Sequence, residues 1–157
     1  MKRQQFTYSL SQTQKIAKEL ARDILRNKNN KNAFVVALEG DLGSGKTAFV
    51  QGFAKGLGIK EKILSPTFVI LKKYQIPNTK HKIQNFYHID CYRIQKPKEV
   101  LDLGLKEIIS NPQNIIAIEW ADRVKKILSK GATWIRFGFI DEKTRKIIIK
   151  KWKIKNV

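Results

Sequence analysis

The sequence predicts an α/β fold in which a mixed, mainly parallel sheet is flanked by helices and ends in an antiparallel hairpin. Three observations predict it. The apolar, β-branched run 34–38 precedes a glycine-rich turn, and apolar residues at helical spacing follow that turn. Two more short apolar runs, 86–89 and 115–118, each lead into an acid, as expected of parallel strands at a ligand-binding edge. The C-terminal part alternates apolar and polar residues around a turn at 141–142, which is typical of a hairpin.

The N-terminal part predicts one helix and a polar break before the first buried strand. Ser11 and Gln14 have the spacing of a capping box. The predicted inner face of this helix carries Ile16, Ala17, Leu20 and Ile24 or Leu25. The polar run 27–32 forms the break. After the glycine-rich turn, a second helix is expected to end at Gly58. Its apolar residues at helical spacing are Phe49, Val50, Phe53 and Leu57.

The middle of the chain predicts a hairpin and a helix. The apolar segment 68–71 and the strand that leads to Asp90 are separated by a turn over 77–82. Pro97 then starts a helix that ends before Asn111. The apolar residues of this helix are Val100, Leu101, Leu105 and Ile108.

The C-terminal part predicts a lysine-rich helical stretch over 122–130 and then the final hairpin. On the first strand of the hairpin, Ile135, Phe137 and Phe139 are expected to face one way. The chain shows no internal repeat and no linker, so we expect a single domain over residues 1–157.

The glycine-rich turn carries the strongest chemical signal. Residues 40–47 read Gly-Asp-Leu-Gly-Ser-Gly-Lys-Thr and match the phosphate-binding pattern G-x-x-x-x-G-K-[ST] in full. The glycines let the backbone bring its N–H groups close to an anion, and the following helix adds the positive end of its dipole. Lys46 is expected to reach the β- and γ-phosphates, and the Thr47 hydroxyl to ligate Mg²⁺. The predicted nucleotide-binding residues of this P-loop are Asp41, Leu42, Gly43, Ser44, Gly45, Lys46 and Thr47.

A P-loop also needs a carboxylate at the tip of a neighbouring strand to hold the magnesium, directly or through water. The sequence offers two, Asp90 and Glu119, each after a short apolar run. One of them is expected in the coordination shell of the metal. The other orients the attacking water or senses the γ-phosphate, and residue types alone leave open which is which.

The composition indicates a cytoplasmic protein with no membrane span. No apolar stretch has the length of a membrane span, and no signal-peptide core follows the first residues. The single cysteine, Cys91, excludes an internal disulfide and suits a reducing compartment. The formal net charge is +19, but the lysines are spread along the whole chain. We therefore expect a general attraction to RNA or to an acidic partner, without a dedicated RNA-binding motif.

Further motifs extend over nearly the whole chain. They are Ser65-Pro66-Thr67-Phe68, His88-Ile89-Asp90-Cys91-Tyr92-Arg93, Leu103-Gly104 and Glu119-Trp120. Together with the P-loop, in this order and spacing, they resemble the TsaE (YjeE) family, small bacterial P-loop ATPases of the tRNA threonylcarbamoyladenosine pathway. The chain departs from the family at Cys91, where leucine is common, and in the basic stretch after Trp120, where many relatives have a more acidic loop.

The resemblance implies roles for individual residues. Thr47 and Glu119 would hold Mg²⁺, and Asp90 would be the acid most directly needed for hydrolysis, with Lys46 as the other catalytic residue. Thr13 lies where the family has a nucleotide-contacting threonine. The switch segment that answers the γ-phosphate would consist of Ser65, Pro66 and Thr67.

Four further residues are weaker candidates. Trp120 either packs near the nucleotide or is an aromatic of the core or rim. Arg93 either contacts phosphate or a partner, or forms a structural ion pair. Arg145 is a further candidate for the nucleotide site. His88 either orients Asp90 or only lies on the inner face of its strand, and we favour the inner face.

The resemblance implies a Mg²⁺-dependent ATPase, weak alone, that acts with TsaD-type and TsaB-type partners and contacts tRNA weakly at most. A small-molecule kinase is the first alternative, but the middle of the chain lacks the arginines of a phosphate-clamping lid. A GTP-driven switch is a second, although the guanine-reading Asn-Lys-x-Asp pattern is missing downstream of the P-loop. A nucleic-acid-binding module with a vestigial P-loop is a third.

Overall fold

The computed structural model describes residues 2–27, 31–65, 70–77 and 83–150 and confirms the predicted α/β class. In chain order, the elements are β1 (Lys2–Thr7), α1 (Leu10–Asn27), β2 (Phe34–Gly40), α2 (Lys46–Gly56), β3 (Leu71–Gln75), β4 (Asn85–Asp90), α3 (Lys98–Leu101), α4 (Leu105–Ser110), β5 (Asn114–Glu119), a 3₁₀ helix (Ala121–Ile127), β6 (Thr133–Phe139) and β7 (Arg145–Lys150). The seven strands form one sheet in the order β1-β7-β6-β2-β5-β4-β3.

The centre of the sheet is parallel and its edges are antiparallel. Strands β4, β5, β2 and β6 run in the same direction. The edge strand β3 pairs antiparallel with β4, and β7 pairs antiparallel with both β6 and β1. The predicted hairpin at the C-terminal end is therefore confirmed. The strand that pairs with the one leading to Asp90 is Leu71–Gln75, so the predicted segment 68–71 shares only Leu71 with it among the described residues.

The sheet is covered on both faces, which explains the continuous apolar runs of its central strands. Val36 and Leu38 face the cluster formed with α1 and α2. Val35 and Ala37, the alternate residues of β2, face the cluster formed with α3, α4 and the 3₁₀ helix. Successive side chains of a strand point to opposite faces of the sheet. Each side chain at the carboxyl end of a central strand therefore faces the helices on only one side of the sheet.

Two features at the N-terminus differ from the prediction. Strand β1 was not predicted, because its residues are mainly polar and its side chains are largely exposed; it forms through its antiparallel ladder with β7. The predicted capping box at Ser11 and Gln14 is wrong by two residues. Ser9 Oγ accepts from Gln12 N at 3.1 Å and Gln12 Oε1 accepts from Tyr8 N at 2.7 Å, so the reciprocal cap precedes Leu10.

Three other expectations need correction. The single helix predicted after Pro97 is two short helices, interrupted at Gly104, whose φ of 90° is left-handed. The lysine-rich helical stretch is a 3₁₀ helix. Ile135 and Phe137 are buried as predicted, whereas Phe139 is 58% exposed because it lies where the strand leaves the core. Residues 66–69, 78–82 and 151–157 lie outside the described residues and include part of the predicted segment 68–71 and most of the predicted turn.

Within the described residues, no helix has the length and apolar character needed to cross a membrane.

Helix α2, which follows the P-loop, is held against α1 by glycines at the contact. A Cβ added at Gly52 would lie 2.3 Å from the carbonyl oxygen of Gln14, and one at Gly56 would lie 2.5 Å from that of Lys18. These contacts are with backbone, so the two helices would have to move apart to admit a methyl group.

We therefore expect Gly52→Ala to lower the free energy of unfolding by about 1–3 kcal/mol, although alanine has the higher helix propensity. Urea denaturation of the purified variant measures this. Gly131→Ala is the matched control, because the nearest atom to its added Cβ is Ser129 Oγ at 3.8 Å. Equal stability of both variants would show that α1 and α2 are not closely packed.

Candidate nucleotide site

The P-loop begins at the carboxyl end of β2 and ends at Thr47, the second residue of α2. Gly43 and Gly45 have φ values of 76° and 106°, which a residue with a side chain adopts only with strain. A Cβ at Gly40 would lie 2.7 Å from the carbonyl oxygen of Phe137, so the loop also lies against β6. No side chain caps the start of α2. The first N–H groups of that helix are therefore available to an anion.

Lys46 is 5% exposed, and its ammonium group lies in the mouth of this loop. It donates to the carbonyl oxygens of Gly40 and Asp41, the latter at 2.8 Å, and to Ser44 Oγ at 3.3 Å. Its Nζ also lies 4.3 Å from the ring centroid of Trp120. Burial lowers the pKa of Lys46, and the nearby carboxylates, with Glu119 first, partly oppose this. A bound phosphate would give this cation a stronger partner than the loop carbonyls.

Glu119, at the carboxyl end of β5, lies directly opposite the first turn of α2. Its Oε1 accepts from Thr47 Oγ1 at 3.0 Å, and its Oε2 lies 2.5 Å from His88 Nε2. The carboxylate is almost fully buried, and both of its oxygens have a polar partner. His88 thus lies on the inner face of its strand, and its polar contact is with Glu119 and not with Asp90.

Thr47 and Glu119 fit a magnesium ion, because a hydroxyl and a carboxylate oxygen are hard ligands within 3.0 Å of each other. No group of three or more His, Cys, Asp or Glu side chains that could hold a metal occurs in the part of the chain that the structure describes. In P-loop sites Mg²⁺ takes one or two oxygen ligands from the protein and the rest from phosphates and water.

Asp90 lies at the end of β4, in register with Glu119. Its Oδ2 accepts from Ser65 Oγ at 2.7 Å and its Oδ1 accepts from Tyr92 N at 2.9 Å. Asp90 therefore connects the end of its strand to the predicted switch segment. Of that segment the structure describes Ser65, while Pro66 and Thr67 lie outside the described residues.

An aromatic and cationic wall that the sequence did not reveal closes one side of the site. The rings of Tyr92 and Trp120 lie 5.0 Å apart, and the guanidinium of Arg123 lies 5.3 Å from Trp120 and 5.5 Å from Tyr92. Trp120 has a φ of 56°, which is rare for a bulky residue and aims its ring across the loop mouth. No local pattern in the sequence predicts this backbone conformation or the position of Arg123.

Two cavities meet at Gly43 and Gly45. One, of about 350 Å³, is lined by Lys46, Thr47, Ser65, Asp90, Glu119 and Trp120. The other, of about 360 Å³, lies beside it and is lined by Thr13 and Arg145, with Leu10 at the start of α1 and Tyr8 and Ser9 just before it. A larger cavity of about 650 Å³ lies between α1, α2 and residues 58–63, away from the P-loop.

The second cavity brings two predicted residues to the loop from distant parts of the chain. Arg145 donates from Nη2 to the Gly43 carbonyl oxygen at 3.2 Å. Thr13 is buried, and its Oγ1 is hydrogen bonded to Thr7 Oγ1 at 2.8 Å. Leu42 is exposed at the tip of the loop and lines the first cavity. Arg93 is exposed and is not among the residues that line either cavity.

A buried strand, a glycine loop, a helix with uncapped amides and a threonine–glutamate pair together define a P-loop nucleotide-binding fold. The profile of the family described as "Threonylcarbamoyl adenosine biosynthesis protein TsaE" matches residues 7–147. The chain belongs to this TsaE family, as the motif resemblance indicated.

Individual proteins that are similar to this chain support the same family. The chain is 35% identical over 144 residues to the tRNA threonylcarbamoyladenosine biosynthesis protein TsaE of Rickettsia typhi, an alignment that covers 91% of each chain. It is 44% identical over 94 residues to the protein of the same name from Bacillus subtilis, which covers 60% of this chain and 54% of that one. The crystal structure of Bacillus subtilis YdiB superposes with a TM-score of 0.72 at 30% identity, over 95% of this chain and 84% of that one.

The buried ammonium of Lys46 generates a pH-dependent prediction. Because the folded-state pKa of Lys46 is below its ordinary value of 10.5, the unfolded state binds more protons between the two values. The destabilisation is therefore fully present below the folded-state pKa and is lost as the pH rises toward 10.5. Lys46→Met removes the charge and keeps the aliphatic stem. We expect the variant to be more stable than the original at neutral pH.

The difference in unfolding free energy should then narrow on the alkaline side. Guanidinium denaturation of both proteins from about pH 7 to about pH 10 measures it. Lys55→Met, at an exposed position of the same helix, should show no such trend. A difference that widens with pH would contradict burial as the cause of the shift.

Proposed function

We propose that this protein is a Mg²⁺-dependent ATP-binding and ATP-hydrolysing subunit that is required for the threonylcarbamoyl modification of adenosine in tRNA. Its ATPase activity is weak in isolation, and it cycles on a complex of TsaB-type and TsaD-type proteins. The observation that carries the proposal is the 3.0 Å contact between Thr47 Oγ1 and Glu119 Oε1 beside the mouth of the P-loop. It supplies the hydroxyl and the strand-end acid that a P-loop NTPase needs at one place.

Lys46 and the loop amides bind the phosphates. Lys46 exchanges the carbonyl oxygens of Gly40 and Asp41 for the β- and γ-phosphate oxygens. The neutral partners of the buried ammonium are thereby replaced by negatively charged ones. Thr47 and Glu119 would hold the magnesium, which would supply positive charge to neutralise the charge that develops on the phosphates. We assign Thr13 and Arg145, which line the neighbouring cavity, to contacts with the rest of the nucleotide.

Asp90 has a different task from Glu119. Its carboxylate is tied to Ser65 rather than to Thr47, so it connects the phosphate end of the site to the switch segment. We assign to Asp90 the orientation of the attacking water, and to Ser65 and the residues after it the response to the γ-phosphate. Release of the Ser65 contact on ATP binding would change the outer surface of the protein that a partner contacts.

The family membership supports the division of labour with partners. The relatives are named for tRNA threonylcarbamoyladenosine biosynthesis, and the groups gathered at the P-loop of this chain are those of a phosphate and metal site. We therefore assign the transfer chemistry to the TsaD-type partner. The net charge of +19 favours approach to a complex that holds tRNA, with weak direct contact at most, in the cytoplasm.

Reconstitution tests the proposed function. Modified tRNA should form from a threonylcarbamoyl donor, ATP and the TsaB–TsaD-type pair only when this protein is present. Lys46→Ala should weaken Mg·ATP binding by about 100-fold, because a charge-assisted contact to phosphate is lost, and should abolish modification. Lys55→Ala, at an exposed position of the same helix, is the control and should restore full yield. If the tRNA were modified to the same extent without this protein, the proposed function would be wrong.

The assignment of Asp90 is tested separately. Asp90→Asn should leave ATP bound, as measured by calorimetry, and lower single-turnover hydrolysis by about 100-fold or more, since the group that orients the water is lost. Asp102→Asn changes an exposed carboxylate outside the site and should hydrolyse ATP at the original rate. Full turnover by Asp90→Asn would assign hydrolysis to another residue.

A further inference from the structure

His88 lies beneath the nucleotide site, where the proposed mechanism does not use it. In the β4–β5 ladder, His88 is opposite Ala117, and Asp90 is opposite Glu119. Because side chains alternate along a strand, His88, Asp90 and Glu119 all project toward the face that α2 covers. His88 is therefore the diagonal neighbour of Glu119, one pleat deeper in the sheet.

The two carboxylate oxygens of Glu119 have different partners. Oε1 faces the Thr47 hydroxyl at 3.0 Å, and Oε2 faces His88 Nε2 at 2.5 Å. One oxygen thus points to the place where the magnesium would lie, and the other is held by a ring that is fixed within the sheet.

The buried imidazole of His88 has one polar partner among the described residues, Glu119. Its side chain is fully buried, and its Nδ1 has no hydrogen-bond partner among the described residues. An unpaired buried polar atom carries an energetic cost that an apolar residue at this position would avoid. The polar contact that the imidazole makes in return is the one with Glu119.

We propose that His88 is a positioning residue, whose Nε2–H holds the carboxylate of Glu119 in the orientation that binds the metal together with Thr47. The proposal rests on the proposed function, because it concerns the same magnesium site. Outer partners of a metal-binding carboxylate prevent its rotation, and their loss lowers metal affinity by about 10- to 100-fold. The imidazole ring is rigid and is attached to a strand, so the position of its Nε2 donor is fixed.

Two variants of similar size separate positioning from packing. The amide nitrogen of glutamine in His88→Gln lies about as far along the side chain as Nε2, whereas that of asparagine in His88→Asn lies about as far as Nδ1. We expect His88→Asn to bind Mn²⁺ about 10- to 100-fold more weakly in the presence of a non-hydrolysable ATP analogue, as measured by electron paramagnetic resonance. His88→Gln should stay within about 3-fold of the original protein.

Controls exclude a trivial loss of structure. Thermal unfolding without nucleotide should be similar for the two variants, and both should bind the analogue equally in EDTA, since His88 contacts the metal ligand and not the phosphate loop. Equal metal affinity of the Gln and Asn variants, whether both are weakened or both are unchanged, would overturn the role of His88 while leaving the proposed function intact. Failure of the original protein to take up Mn²⁺ with the analogue would overturn both.

A measurement on the original protein does not depend on whether a variant folds. The chain has two histidines, so ¹⁵N resonances of His88 are assigned by comparison with His81→Gln. We expect Nε2 of the His88 ring to carry a proton. The opposite tautomer, with the proton on Nδ1, would overturn the proposal, because Nε2 would then have no hydrogen to donate to Glu119.

Discussion

At the carboxyl end of β5, the buried carboxylate of Glu119 accepts from Thr47 Oγ1 and lies against His88 Nε2. This contact joins three elements, because Thr47 belongs to α2, His88 to β4 and Glu119 to β5. A carboxylate that is 2% exposed is tolerable only when both of its oxygens are paired, so each partner stabilises the position of the other. The P-loop helix is thereby placed against the strand ends at which a magnesium ion would be held.

The rest of the site is arranged around this pair at some cost to stability. Lys46 is a buried cation whose pKa is lowered by loss of solvent, and in the free protein it is partnered chiefly by loop carbonyls. Trp120, directly after Glu119 in sequence, adopts a left-handed conformation that brings its ring over that ammonium. Strained or destabilising features of this kind cluster at binding sites, where function is maintained at a cost to the free energy of unfolding. A triphosphate would relieve the first of them, because it supplies anionic partners to Lys46.

Local patterns predicted some elements well and others poorly, for identifiable reasons. The strand, loop and helix around residues 34–57 were predictable, because glycine positions and apolar spacing act within a few residues of each other. Strand β1 was not, since a mainly polar segment becomes a strand only by pairing with β7, far along the chain. The helix predicted after Pro97 had the correct apolar spacing, but it is divided at Gly104, whose left-handed conformation interrupts the helix.

Residues close together in the chain specify the phosphate loop, the alternation of strands and helices, and the two acids that each end a strand. Long-range packing specifies that these two strands are neighbours, that Thr47 faces Glu119 while Asp90 accepts from Ser65, and that His88 contacts Glu119. The register of the strands explains the difference. A shift of one residue between two strands exchanges the faces of all side chains, and the pairing that prevents this shift is set by contacts between distant segments.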